Sequence, residues 1–298
     1  MPVVTSPSPT AQASPPTDPS LLAGVNILLE GPSGTGKTYS IGTAVDAGVE
    51  TFALFTESGL ETLLGYWTDR GQEIPPNLHW HVLEPAPGSF EMLAKMATTI
   101  NTYSMEALFK MTDPERSKNN QFVGLLKTLS NFQDARTGQR FGPVDSWGPD
   151  RLLVIDSLSG INPIAFSLVV GNKPLKDQRD WGAAMEQIEK LVRQLTGGCN
   201  CHVILIAHIE REVDLVQGGQ KITVATLGNK LAPKIVPMFS DVILSQRKGK
   251  DFSWTTADPQ AELKARNLPI ADNIQPSFHQ IFHKWQSRGG KFSPQVQR

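Results

Sequence analysis

The sequence predicts an α/β fold, a mainly parallel sheet with helices on both faces. Two patterns carry that reading. Short, wholly apolar runs (VNILLE, TFALFT, LLVI and HVILIA) recur between stretches with helical apolar spacing, and the first run opens directly into the glycine-rich turn GPSGTGKT at residues 31–38. Strands that are apolar without alternation are buried on both faces, and helical connections between them make neighbours parallel.

Order is expected from residue 21 onward. Residues 1–20 are rich in Pro, Ser and Thr with almost no charge, so they cannot bury enough surface to order themselves and read as a disordered tail. The first strand runs over 25–30, and a helix follows over 37–47, stopped by Gly48. A second strand covers 51–56, and Leu60, Leu63, Leu64 and Trp67 mark the helix after it. A weaker strand covers 79–83, and Phe90, Leu93, Ala97 and Ile100 mark another helix. Residues 111–150 are rich in polar residues and single aromatics, and read as an insertion or long connection within a core spanning 21–274. Residues 152–155 are a buried strand, 181–195 a helix with one apolar stripe, and 202–207 a further buried strand. Shorter strands are expected at 241–244, 252–256 and 262–266. Phe278, Ile281, Phe282 and Trp285 place an amphipathic helix and a basic tail in 275–298.

Composition narrows the function classes. No apolar run approaches the roughly 18 residues of a membrane helix, and no basic-then-apolar leader opens the chain, so cytoplasmic residence is the expectation. With 28 basic and 29 acidic residues, the overall charge favours no polyanionic partner. The C-terminal part is locally basic, with nine Lys/Arg against four acids from residue 242. Cys199 and Cys201 lack a second pair to complete a zinc site and read as structural.

The chemistry is concentrated in residues 31–38. The spacing G-x-x-x-x-G-K-[ST], with a strand before it and a helix after it, is a phosphate-binding P-loop formed here by Gly31, Pro32, Ser33, Gly34, Thr35, Gly36, Lys37 and Thr38. Its backbone N–H groups converge on phosphate oxygens, Lys37 is expected to reach the β- and γ-phosphates, and Thr38 to bind Mg2+. Asp156, at the tip of LLVID, supplies the second magnesium-side carboxylate. ATP and Mg2+ follow as ligands. Ser157 follows Asp156, so that strand offers no acid for water activation, and the nearest candidate is Glu57 after TFALFT. A solvated strand-end acid would look the same. His208, ending HVILIAH, faces the same sheet edge as a γ-phosphate sensor or as a structural histidine.

The order GPSGTGKT, FTES, LLVIDS, ILIAHIERE resembles the RecA-like branch of P-loop ATPases, and is similar to phage-encoded, core-only RecA/Sak-type recombination ATPases over residues 21–282. The resemblance implies a homo-oligomeric ring or filament with ATP at subunit interfaces, acting on single-stranded DNA. It places one DNA-facing loop within 160–180, offering Lys173, Lys176 and Arg179, and another within 209–226, offering Arg211 and Lys221. Neither has the aromatic platforms that stack single-stranded bases. It also implies that Lys264 and Arg266, in ELKAR, reach a neighbouring subunit's γ-phosphate, with Lys230 and Lys234 as alternatives. A helicase-like or packaging motor is the first rival. The second is an ATP-dependent switch without nucleic acid, with the N-terminal tail binding a protein partner.

Overall fold

The computed structural model describes residues 22–83, 89–113, 116–118, 120–213 and 218–292. The tail expected at 1–20 lies outside them. Among the described residues the parallel strands are β1 (Asn26–Glu30), β2 (Glu50–Phe55), β3 (Leu78–Val82), β4 (Arg151–Asp156), β5 (His202–Ala207) and β8 (Asp241–Lys248). The strands β6 (Ile209–Val213) and β7 (Gln220–Val224) form a separate antiparallel hairpin. Two antiparallel strands, β9 (Asp251–Thr255) and β10 (Lys264–Ala265), complete the main sheet by pairing with β8. The order across the sheet is β10-β8-β1-β5-β4-β2-β3. The helices are α1 (Lys37–Ser40), α2 (Gly42–Asp46), α3 (Leu60–Thr68), α4 (Phe90–Thr102), α5 (Met105–Lys110), α6 (Gln121–Ser130), α7 (Leu158–Val170), α8 (Gln178–Gly197), α9 (Ala232–Ile235) and α10 (His279–Ser287).

Side chains alternate across each strand, so one sheet has two apolar faces. Leu28, Leu54, Leu153, Ile155, Val203 and Leu205 face one layer, built mainly from α6, α7, α8 and α9. Ile27, Leu29, Ala53, Val154, Ile204 and Ile206 face the other, under α2, α3 and α10. The mainly parallel α/β sheet with helices on both faces is therefore the observed architecture. The segment 121–150 is more than a connection. Its Phe132 and Trp147 pack on the Phe52 ring at centroid distances of 5.2 and 4.3 Å, and Phe122 and Leu125 of α6 join the same core. Isolated aromatics in a polar stretch carry no periodicity, so their inward orientation had no sequence signal.

The late strands and the second expected DNA loop differ from expectation. Residues 209–213 and 220–224 pair as a hairpin, and the alternation of Ile209, Arg211 and Val213 with acids is a strand signal. The strand expected over 262–266 shrinks to Lys264–Ala265, because Asn267 leaves the ladder to bond Asp241 through both its backbone N (2.7 Å) and its Nδ2 (2.7 Å). The C-terminal helix α10 buries Ile281, Phe282 and Trp285 against the sheet, each contributing about 1.5–3 kcal/mol. Trp285 Nε1 also donates to the Ala23 carbonyl at 2.9 Å, tying the two ends of the core together.

Beneath α10 lies His202, wholly buried, with its ring 4.9 Å from Phe282 and 4.6 Å from Trp285. Its Nδ1 accepts the Val25 N–H at 3.0 Å. Burial pushes its pKa down from 6.5 to about 3, with the Pro149 backbone pulling the other way. The folded state therefore refuses a proton that the unfolded chain accepts, so stability present above pH 6.5 is lost as the pH falls towards 3. Denaturation at pH 7 and pH 5 should show about 2 kcal/mol lost from this group, and His202→Gln should remove that part of the slope. An unchanged slope in the variant would contradict the assignment.

Candidate functional site

The functional edge is set by strand register. Glu30 pairs with Ala207, Ile206 with Asp156, and Asp156 with Phe55, so β1, β5, β4 and β2 end at nearly the same level. The next residues, Gly31, His208, Ser157 and Thr56, then line one rim of the sheet, where parallel strands leave their ligand crevice. Thr56 joins two of these ends. Its N–H donates to the Asp156 carbonyl at 2.8 Å, its hydroxyl to the Ser157 carbonyl at 2.8 Å, and the hydroxyl oxygen accepts the Ser157 N–H at 2.9 Å.

The loop at 31–38 follows from close approach and capping. A Cβ on Gly31 would lie 2.5 Å from the Ser245 carbonyl oxygen, so only glycine lets the loop pass β8. Gly36 caps α1 at φ +81°, a conformation that would strain a larger residue. Ser245 braces the loop by donating to the Thr35 carbonyl at 2.8 Å, and Thr35 Oγ1 donates to the Pro32 carbonyl at 2.9 Å. Pro32, Ser33 and Gly34 are the exposed crown. Lys37 is buried, and its ammonium donates to the Gly31 and Pro32 carbonyls at 2.7 Å each. Burial lowers its pKa to about 8, opposed by the carboxylates of Asp156 and Glu57. The cation is thus stored within its own loop, on weak acceptors that phosphate oxygens can replace.

Thr38 Oγ1 donates to Asp156 Oδ2 at 2.6 Å, joining the two residues expected to hold Mg2+. Asp156 is buried, which raises its pKa despite the Thr38 hydrogen bond. One hydroxyl and one carboxylate at a phosphate loop form a hard-oxygen donor set of the kind Mg2+ takes alongside phosphate and water, so the residues fit the ion. Glu57 accepts a hydrogen bond from Ser157 Oγ and lies 3.7 Å from His208 Nε2, all three beside Asp156 on the rim. In the sequence, Ser157 stands out only as a missing acid. In the fold it positions Glu57, and it also caps α7 by accepting from Gly160 N at 3.3 Å.

A cleft of about 750 Å³ opens beside the loop, walled by Gly34, Gly36, Tyr39, Tyr66, Arg70 and Phe252. The Arg70 guanidinium stacks 3.9 Å over Tyr66, Tyr39 lies 5.0 Å from Tyr66, and Phe252 is 44% exposed at the mouth. Aromatic faces next to a phosphate loop suit a purine base. These residues come from three distant segments, and no local motif signals them.

The model of the AAA domain family matches residues 23–267. The chain belongs to that family. A crystal structure of the RadB recombinase aligns at 15% identity and TM-score 0.36, covering 85% of this chain and 86% of that one. No curated protein matches. As an AAA domain, the chain is a nucleotide-dependent ATPase, a class that uses ATP and typically Mg2+.

Within this AAA domain the remaining candidates are dispersed. Lys173 is paired with Asp180 at 3.2 Å, and Arg179 with Asp177 at 3.2 Å, the pair that caps α8. Lys176 is exposed. Arg211 and Lys221 occupy opposite faces of the hairpin, since Lys221 pairs with Glu212, one residue on from Arg211. They cannot share one phosphate tract. Lys264 donates to the Pro237 and Phe239 carbonyls of its own chain, and Arg266 lies past the end of β10, so the two do not form the paired strand face expected. Both sit at the end of β8 away from the P-loop, which β8 meets at Ser245. Lys234 is bound to Glu189 at 2.8 Å, while Lys230 is exposed. Cys199 and Cys201 are buried thiols, and among the described residues no cluster of His, Cys, Asp or Glu could hold a metal by itself.

Two substitutions separate positioning from chemistry. Glu57→Gln should bind Mg·ATP normally but hydrolyse it roughly 10²–10⁴-fold more slowly, as expected for loss of a general base. Ser157→Ala leaves the carboxylate in place without its anchor, and should lower kcat roughly tenfold or more with little change in ATP affinity. Steady-state ATPase kinetics with fluorescent-nucleotide binding checks both, and full activity in Glu57→Gln would assign water activation elsewhere.

Proposed function

We propose that this chain is a RecA-like, phage-type recombination ATPase that assembles as a ring or filament on single-stranded DNA, with ATP at its subunit interfaces. The observation that supports this best is the convergence of Lys37, Thr38, Asp156, Glu57 and His208 on one rim, with His208 leading directly into the β6–β7 hairpin. Lys37 exchanges its loop carbonyls for phosphate oxygens as ATP enters. Thr38 and Asp156 would hold the Mg2+, which would offset charge on the β- and γ-phosphates. Glu57, steadied by Ser157, accepts a proton from the attacking water. His208 lies 3.7 Å from Glu57, so a change at the γ-phosphate reaches the first residue of the hairpin through one side chain. Tyr39, Tyr66 and Phe252 surround the base.

The DNA surface in this reading shifts from the paired cations Lys173 and Arg179, around the start of α8, to the β8–β9 tip. Residues 247–250 read RKGK and project beside the P-loop. Arg247 packs over Phe252 at 5.2 Å, and Lys248 and Lys250 are exposed without an ion pair among the described residues. An interfacial arginine from a neighbour remains part of the proposal, with exposed Arg266 as its donor. A second reading, a switch that binds protein, is favoured by one feature. The helices α4 and α5, with Tyr103 between them, expose Phe90, Leu93, Ile100, Tyr103, Met105 and Phe109.

ATPase measurements with and without single-stranded DNA across a salt series test the proposal. DNA should stimulate turnover, and the double substitution Lys248→Ala with Lys250→Ala should weaken DNA binding and reduce its log–log salt slope by about 0.7 for each phosphate no longer neutralised. Removing Lys173 or Arg179, which are already paired, should do less. Turnover indifferent to DNA would favour the protein-binding switch.

A further inference from the structure

The strand that leads into the P-loop ends on a residue that the nucleotide site does not use. Glu30 shares the face of β1 with Leu28 and is only 2% exposed, yet its carboxylate has no hydrogen-bond or ion-pair partner among the described residues. It lines a cavity of about 90 Å³ that the β6–β7 hairpin and α9 close from the other side. Around Glu30 the same cavity presents Glu210 and Glu212 from β6, Lys221 from β7, Asn229 and Glu262.

This arrangement disfavours the ionised carboxylate and favours a donor placed against it. A carboxylate so largely buried and without a donor keeps only part of its hydration, and a second acid nearby makes ionisation harder still. Burial, reinforced by the Glu262 carboxylate, accordingly raises the pKa of Glu30 to about 8. Lys221 shares the cavity, and lies across the hairpin from Glu212, but forms no ion pair there among the described residues. Four acids against one lysine make the lining net negative, with Glu30 the buried member and Glu210, Lys221 and Glu262 facing solvent. It is too small for a nucleobase, and its carboxylates are not gathered at coordination distance, since no metal-holding cluster exists among the described residues. An ammonium or guanidinium group has both the size and the donors that Glu30 lacks.

We propose that this cavity is a binding site for an organic cation, an alkylammonium or guanidinium group, seated against Glu30 between the P-loop strand and the hairpin. The cation is either a free amine or a basic side chain of a second copy of this chain, and both sources require the Glu30 carboxylate. Binding draws on the ionised form of Glu30. Its apparent affinity therefore tightens with pH, towards tenfold per unit below about pH 8. The charged groups facing Glu30 in that range are Glu210, Glu212, Lys221 and Glu262.

The test is a titration of the full chain with agmatine, followed by thermal shift and calorimetry at pH 6, 7 and 8, with sodium chloride matched for ionic strength. A free-amine site gives saturable stabilisation that strengthens with pH and is lost in Glu30→Gln. A site filled by a second copy gives self-association in the wild type, measured by sedimentation, that agmatine reverses and Glu30→Gln abolishes. Glu262→Gln keeps the test decisive if Glu30→Gln does not fold, because it changes the charge on Glu30 without touching its packing, and should shift the pH dependence of binding. The proposal is overturned if agmatine acts no differently from salt and no Glu30-dependent association exists, or if Glu30→Gln responds as the wild type does.

Discussion

The hydrogen bond from Thr38 Oγ1 to Asp156 Oδ2, 2.6 Å long across 118 residues of sequence, is the contact on which the site depends. It exists only because β5 holds β1 and β4 in register, so that the loop after one strand meets the carboxylate ending the other. Both faces of that sheet are buried. A one-residue slip of β4 would exchange its two faces and turn Asp156 away from the rim. Packing therefore fixes the geometry before any ligand arrives, which is what electrostatic preorganisation requires.

The same burial sets the charges. Asp156 is raised by desolvation and Lys37 lowered by it, each partly offset by the other. In a dry site such groups interact strongly with a multiply charged ligand, and a polyphosphate with Mg2+ relieves both desolvation costs at once. Glu57 stands differently, partly exposed and held by the Ser157 hydroxyl. That exposure is what the proposed water-activating role of Glu57 requires.

Legibility followed the range of the interactions. The P-loop, Asp156 and the apolar strands were readable because each is a local pattern: glycine spacing, or a run of branched residues ending in a single acid. The aromatic cleft beside the loop was not, since Tyr39, Tyr66 and Phe252 meet only through the fold. Ser157 was visible without its role, because its partner lies 100 residues away. The pairing of β6 with β7 was hidden by a resemblance that implied a loop, although the alternation of β6 was in plain view. Lys264 and Arg266 show the opposite error. Strand alternation predicted a shared face, and Asp241, by capturing Asn267, ended the strand before that face could form.

If Thr38 and Asp156 form one magnesium-dependent nucleotide site, the effect of Mg2+ on ATP binding must run through Asp156. Equilibrium ATP binding by wild type and Asp156→Asn, with Mg2+ and with EDTA, tests it most directly. Mg2+ should tighten binding to the wild type, and Asp156→Asn, while still folded, should lose most of this enhancement and bind about as the wild type does in EDTA. Full magnesium-dependent tightening in a folded Asp156→Asn protein would contradict it.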